Sequence, residues 1–158
     1  MNEIENKFLD RAIELSREGM KSLKGGPFGC VIVKDGSIIG EGSNEVTTSN
    51  DPTAHAEIVA IRNACKTLNN FQLDDCDIYC SCEPCPMCFG AIYWARPRRV
   101  IFANTKEDAA GAGFDDAFIY EELKKGHPDK QIEFIRVSSE SALAVFREWK
   151  EMEVKQVY

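Results

Sequence analysis

Apolar positions recur at helical spacing near the start of the chain. Phe8, Ala12 and Leu15 form one stripe, widened by Leu9, Ile13 and Met20, which predicts a helix over residues 3–23. Gly25-Gly26-Pro27 stops it. The pattern then changes to short β-rich runs. Residues 28–34 and 37–43 read as two strands joined at Asp35-Gly36, a two-residue hairpin signal. After the polar loop Thr47–Thr53, further segments alternate: a helix over 54–68, a strand over 77–82, a short helix over 85–95 ending before Pro97, and a strand over 100–103. A helix over 115–125, a strand from Ile132 to Val137 and a helix over 140–153 complete the series. The last helix carries its stripe on Ala142, Val145, Phe146, Trp149 and Met152. Strands separated by helices imply crossovers and a mainly parallel sheet, to which the first hairpin adds an antiparallel pair. The expected architecture is α/β, a five-stranded mixed sheet with helices on both faces. Ligands should then bind beyond the carboxyl ends of the strands.

With 158 residues, no internal repeat and no linker-like stretch, the chain is read as a single domain over 1–158. Its apolar runs, such as Ala91–Ala95, are far shorter than the roughly 20 residues of a membrane span. The first residues lack a signal-peptide layout, so a cytoplasmic location is expected. Nineteen basic against 26 acidic residues give a net charge of −7, which argues against a nucleic-acid partner, because phosphate contacts come from Lys and Arg. Arg96, Arg98 and Arg99 cluster, yet three arginines before a strand usually form a solvated edge. Seven cysteines, an odd number, favour metal binding or free thiols over disulfides.

Two segments carry the chemistry: Thr53-Ala54-His55-Ala56-Glu57 and Cys82-Glu83-Pro84-Cys85-Pro86-Met87-Cys88. Each sits where a loop or strand enters a helix. Cys85 and Cys88 are three apart and share a helix face, and the helix start favours the thiolate form that binds metal. His55 supplies a third ligand from the other helix. A His/Cys/Cys set leaves the fourth tetrahedral position of a zinc ion open, the mark of a catalytic rather than a structural site. Two thiolates cancel much of the metal's charge, so a nearby carboxylate base has a clear task, and Glu57 is placed for it. Paired His-x-Glu and Pro-Cys-x-x-Cys motifs are the general signature of zinc deaminases. A closed and inert site of His55, Cys82, Cys85 and Cys88 is the structural rival, because Cys82-x-x-Cys85 has the same spacing. A zinc-stabilised interaction module without turnover is the corresponding non-enzymatic reading.

These motifs, with Gly25-Gly26-Pro27-Phe28-Gly29, the run Asn44–Glu57, Leu73-Asp74-Asp75-Cys76, the stretch Ser81–Pro97, Ala112-Gly113-Phe114-Asp115-Asp116 and the terminal Tyr158, resemble the cytidine deaminase-like superfamily. Within it the Gly-Phe-Asp-Asp segment and the tail are closest to the small bacterial guanine deaminases. The resemblance implies a three-layer α/β/α fold, one zinc per chain bound by His55, Cys85 and Cys88, and Glu57 as the proton shuttle. Phe28, Asn44, Trp94, Asp116 and Tyr158 would line the base pocket, with Asp115 the alternative to Asp116. The implied reaction is hydrolysis of guanine at C2 to xanthine and ammonia, Glu57 protonating N3 and later the departing amino group. Cytosine, guanosine and tRNA-adenosine deamination are the alternatives on the same fold. A homodimer is implied, with residues 154–158 as a tail covering an active site, its own or, by exchange, the partner's.

Overall fold

The computed structural model describes residues 3–157. The chain divides into two compact units, Met1–Ile119 and Tyr120–Tyr158. The first holds α1 (Glu3–Lys21), β1 (Gly29–Lys34), β2 (Ser37–Ser43), a single turn α2 (Val46–Ser49), α3 (Ala56–Leu68), β3 (Asp77–Cys82), α4 (Pro86–Ala95), β4 (Arg99–Asn104) and α5 (Lys106–Gly111). A further helix, α6 (Ala117–Lys124), spans the division. The second unit adds a 3₁₀ turn (His127–Asp129) and α7 (Glu140–Glu151).

The sheet has four strands in the order β2-β1-β3-β4. Asp35 and Gly36 both take positive φ (49° and 75°), the twist a two-residue hairpin needs, and pair Lys34 with Ser37. The β3–β4 ladder is parallel, whereas β1 runs antiparallel to both of its neighbours. The mainly parallel expectation is corrected here. Strands β2, β3 and β4 do share one direction, as helical crossovers demand. But β1 lies between β2 and β3, so two of the three ladders are antiparallel.

Three layers form within the first unit. On one face Phe8, Leu9 and Ala12 of α1 pack with Val31, Val33 and Tyr79. On the other, Ala56, Ala60 and Ala64 of α3 and Ile92 and Ala95 of α4 pack with Cys30, Ile32, Ile78 and Cys80. Every residue of β3 is buried, as befits a strand covered on both sides. On the α3 face backbone comes close to backbone. A Cβ at Gly40 would lie 2.6 Å from the Ala60 carbonyl oxygen, and one at Gly42 would lie 2.3 Å from that of Ala56. Glycine on β2 and alanine on α3 therefore form a seam of small residues.

The expected fifth strand is not part of the sheet. Residues 132–137 carry no strand pairing among the described residues, and Ile132, Ile135 and Val137 are exposed. The segment is rich in β-branched and aromatic residues, but it becomes a strand only where an edge accepts its hydrogen bonds. In the same unit α7 is capped by Ser139, whose hydroxyl accepts from the Ala142 N–H, and its stripe of Val145, Phe146 and Trp149 is also exposed. Among the described residues no helix is long and apolar enough to cross a membrane.

At the start of β3, buried Asp77 accepts from Arg98 (3.0 and 2.8 Å) and Arg99 (3.0 Å). Burial pushes its carboxyl up, but the two guanidiniums outweigh this and hold it below the usual range. Asp77→Asn is expected to cost about 1–2 kcal/mol near pH 7, less than a fully buried pair because both arginines are half in water. A depressed folded-state value means the contribution is complete above the unfolded value of about 4 and vanishes as pH falls through the lower folded value. Urea titrations of the two proteins should therefore converge in acid.

Candidate metal centre and catalytic cleft

Two helix entrances meet at the site. His55 is the N-cap of α3 and Cys85 the N-cap of α4, both with extended backbone (φ/ψ −68/157° and −65/168°). Their carbonyls start the helices by accepting from Val59 (3.0 Å) and Phe89 (2.8 Å), while neither side chain caps its own helix. The imidazole and the thiol are thus left for other work. Pro86 fits the first helical position, where a missing N–H costs nothing. Cys88, one turn on, is fully buried.

The ligand atoms of His55, Cys85 and Cys88 lie within 4.8 Å of one another, and Cys85 Sγ is 3.5 Å from His55 Nδ1. Ligands at 2.0–2.3 Å around a tetrahedral zinc are roughly 3.5–4 Å apart, so the set fits this ion in spacing and in donor type. Cys82 does not join them. Its thiol donates to the Thr105 carbonyl (3.4 Å), and burial pushes its pKa up to about 11. The closed four-ligand arrangement is therefore not formed.

The charge distribution suits a cation. The Cys88 thiol donates to Cys85, and with His55 and a backbone N–H it holds the Cys85 thiol down at about 4. Cys88 is pushed up in return, chiefly by the same hydrogen bond. The Cys85 thiolate also raises His55. Glu57, in the first turn of α3, is only 7% exposed, and burial raises its carboxyl above the ordinary range, with the charge on Cys85 adding to the effect. Asp116 is raised for the same two reasons, burial first.

A cavity of about 280 Å³ opens beside these groups, at the small end of ligand-sized pockets. Of the residues expected in the base pocket, Phe28, Asn44 and Asp116 line it together with His55, Glu57 and Cys85. Trp94 does not. It is 65% exposed near the end of α4 and is absent from the lining. Tyr158 lies outside the described residues. Asp115 is at the cavity too, but its carboxylate accepts from the Ala117 N–H (2.8 Å) at the start of α6, which distinguishes it from Asp116. Sequence reasoning missed Phe114, whose ring meets Phe28 edge-on at 5.0 Å, and Glu83 and Lys106 on the rim. Glu83 and Lys106 follow the carboxyl ends of β3 and β4, so the rule for ligand sites in such sheets held the signal.

Residues 2–104 match the sequence profile of the cytidine and deoxycytidylate deaminase zinc-binding region. The chain belongs to this family of zinc-binding deaminases. It is 58% identical over 151 residues to guanine deaminase of Bacillus subtilis, covering 96% of this chain and 97% of that protein. The X-ray structure of guanine deaminase from Bacillus subtilis superposes with a TM-score of 0.96 at 56% identity, over 100% of this chain and 99% of that one. A tRNA-specific adenosine deaminase of Haemophilus influenzae is 38% identical over 129 residues, covering 80% of this chain and 72% of that protein.

Proposed function

We propose that this chain is a zinc-dependent guanine deaminase, hydrolysing guanine to xanthine and ammonia. The observation that carries this is the 58% identity to a guanine deaminase along 96% of the chain, together with a His/Cys/Cys group facing a cavity that contains a buried glutamate. His55, Cys85 and Cys88 would hold the zinc, which when bound supplies Lewis-acid activation of water at its open position. Glu57 is the proton carrier. Its burial raises the carboxyl above the ordinary range, which makes it a stronger base for taking a proton from water and returning it at N3 and then at the leaving amino group. Phe28 provides an apolar wall for the base. Asn44 offers a hydrogen-bonding edge, and Asp116 can accept from the N–H edge of guanine.

An ammonia-release panel with guanine, guanosine, adenine, adenosine, cytosine and a tRNA anticodon stem-loop tests the assignment. Guanine should exceed the other bases by up to roughly 10⁴, the discrimination available when a wrong base leaves buried polar groups unpaired. Comparable turnover of adenine or cytosine, or editing of the stem-loop, would overturn it. No release from any substrate would leave a structural zinc module. The net charge of −7 weighs against RNA, and Arg98 and Arg99 already serve Asp77.

The active form is a cytoplasmic homodimer in which the full chain acts as one deaminase domain. Reduced thiols suit that compartment, and the seven cysteines are free. The exposed stripe of α7 supports association, because an apolar helix face needs a cover. In this assembly the tail, residues 154–158, covers a site, exchanged with the partner or kept, and Trp94 and Tyr158 complete the pocket. Deleting 154–158 should leave zinc content unchanged and cut guanine turnover strongly, with Tyr158→Phe cutting it less. Full activity in the truncated protein would make the tail a mere frayed end.

A further inference from the structure

Asn44 has one settled orientation. It sits at the end of β2, 6% exposed, and its Oδ1 accepts from two backbone N–H groups, Gly26 and Val46, each at 3.3 Å. An amide nitrogen cannot accept, so these two donors fix which end of the carboxamide faces inward. The Nδ2 group is left facing the cleft that Asn44 lines, and no described residue accepts from it. A nearly buried donor without a partner is costly unless the ligand supplies one.

The two-donor arrangement depends on the chain at Gly25. A Cβ there would lie 2.0 Å from Asn44 Oδ1 and 2.7 Å from the Asn44 carbonyl oxygen, well inside contact distance for both. Any side chain at position 25 must therefore displace the carboxamide or the β2 end that carries it. The next residue, Gly26, is held by its own N–H on that carboxamide, and a Cβ there would press at 3.0 Å on both Phe28 and Phe114. The turn thus contacts both the polar and the aromatic wall of the cleft.

We propose that Gly25 is a positioning residue for substrate recognition, which keeps Asn44 Nδ2 aimed into the cleft so that the base must present an acceptor atom to it. The inference rests on the guanine deaminase reading and assigns part of its selectivity to a residue that touches no substrate. Guanine has acceptors at O6, N3, N7 and, in one tautomer, N9, and the bound orientation selects which of them meets Asn44.

The test compares wild type, Gly25→Ala, Asn44→Ala and the double variant as zinc-loaded full-length proteins, with zinc content and melting temperature as controls on folding. Gly25→Ala should raise KM for guanine roughly tenfold with a smaller change in kcat, the pattern of lost binding rather than lost chemistry. In the double variant Gly25→Ala should add little to Asn44→Ala, because the group it displaces is gone. Inhibition constants of 2-aminopurine, which lacks O6, of 3-deazaguanine, which lacks N3, and of 7-deazaguanine and 9-deazaguanine, whose remaining five-ring nitrogen is an N–H so that neither keeps an acceptor there, give a readout that a purely structural role would not move. Wild type should be penalised severalfold or more for one of these deletions, and both single variants should lose that penalty. A wild-type enzyme indifferent to all four, a Gly25→Ala variant that keeps the penalty, or fully multiplicative effects in the double variant would each overturn the proposal. A wild-type protein that does not deaminate guanine would instead overturn the function on which it rests.

Discussion

Glu57→Gln is expected to keep its fold and its zinc and to lose guanine turnover by a factor on the order of 10²–10⁴, the usual contribution of a positioned general base. The substitution preserves size in a position that is 7% exposed, so packing against the cleft changes little. What it removes is the capacity to hold a proton. The fall should appear in kcat with KM moved only a few-fold, because the carboxylate acts on the reacting atoms more than on ground-state binding. Steady-state rates together with metal analysis check this. A Glu57→Gln enzyme turning over guanine at near-native rate would remove the residue from the mechanism.

The second large effect is expected at the metal ligands. Purified protein should carry about one zinc per chain, the stoichiometry of one three-ligand site. His55→Ala, Cys85→Ala and Cys88→Ala should each release it and abolish turnover. Each should also lower the melting temperature measured in excess zinc, since a ligand bound only to the folded state stabilises that state. Cys82→Ala is the informative control. Its sulfur sits three residues from Cys85, at the spacing of a ligand pair, but its hydrogen bond goes to the Thr105 carbonyl. Zinc should therefore persist in Cys82→Ala. Loss of zinc there but not in Cys88→Ala would reverse the ligand assignment.

The metal centre was legible in the sequence because its determinants are local. Spacing places Cys85 and Cys88 on one helix entrance, and proline at 86 marks that entrance. That His55 would meet them depends on strand order, which spacing does not contain, and there the resemblance to zinc deaminases supplied the link. Four strands and the hairpin at Asp35-Gly36 were also legible from alternation and turn chemistry. The position of β1 was not. Inserting a strand between two others changes its neighbours without changing its hydrophobic pattern. Residues 132–137 misled for a related reason, since β-branched and aromatic residues report a capacity for pairing and not the presence of an edge. Trp94 shows the limit for single residues: an aromatic at a helix end reads equally as a pocket wall or a surface, and within one chain it is exposed, outside the cavity lining.

The glycine and alanine seam between β2 and α3 bears on how the cleft withstands thermal motion. Side chains that interdigitate can hop between rotamers and let a helix rock, but backbone resting on backbone has no rotamers to exchange. Since α3 begins at the residue after His55 and carries Glu57 in its first turn, the imidazole and the carboxylate are tied to this backbone-on-backbone contact. Their spacing should fluctuate less than that of groups on the α5 and α6 side of the cavity, such as Asp116, which are borne by exposed segments. The enzyme then has a stiff reacting edge and a more yielding edge for the base to pass on entry. Amide protons of Ala60 and Ala64 should accordingly be among the last to exchange, released only when the whole first unit opens.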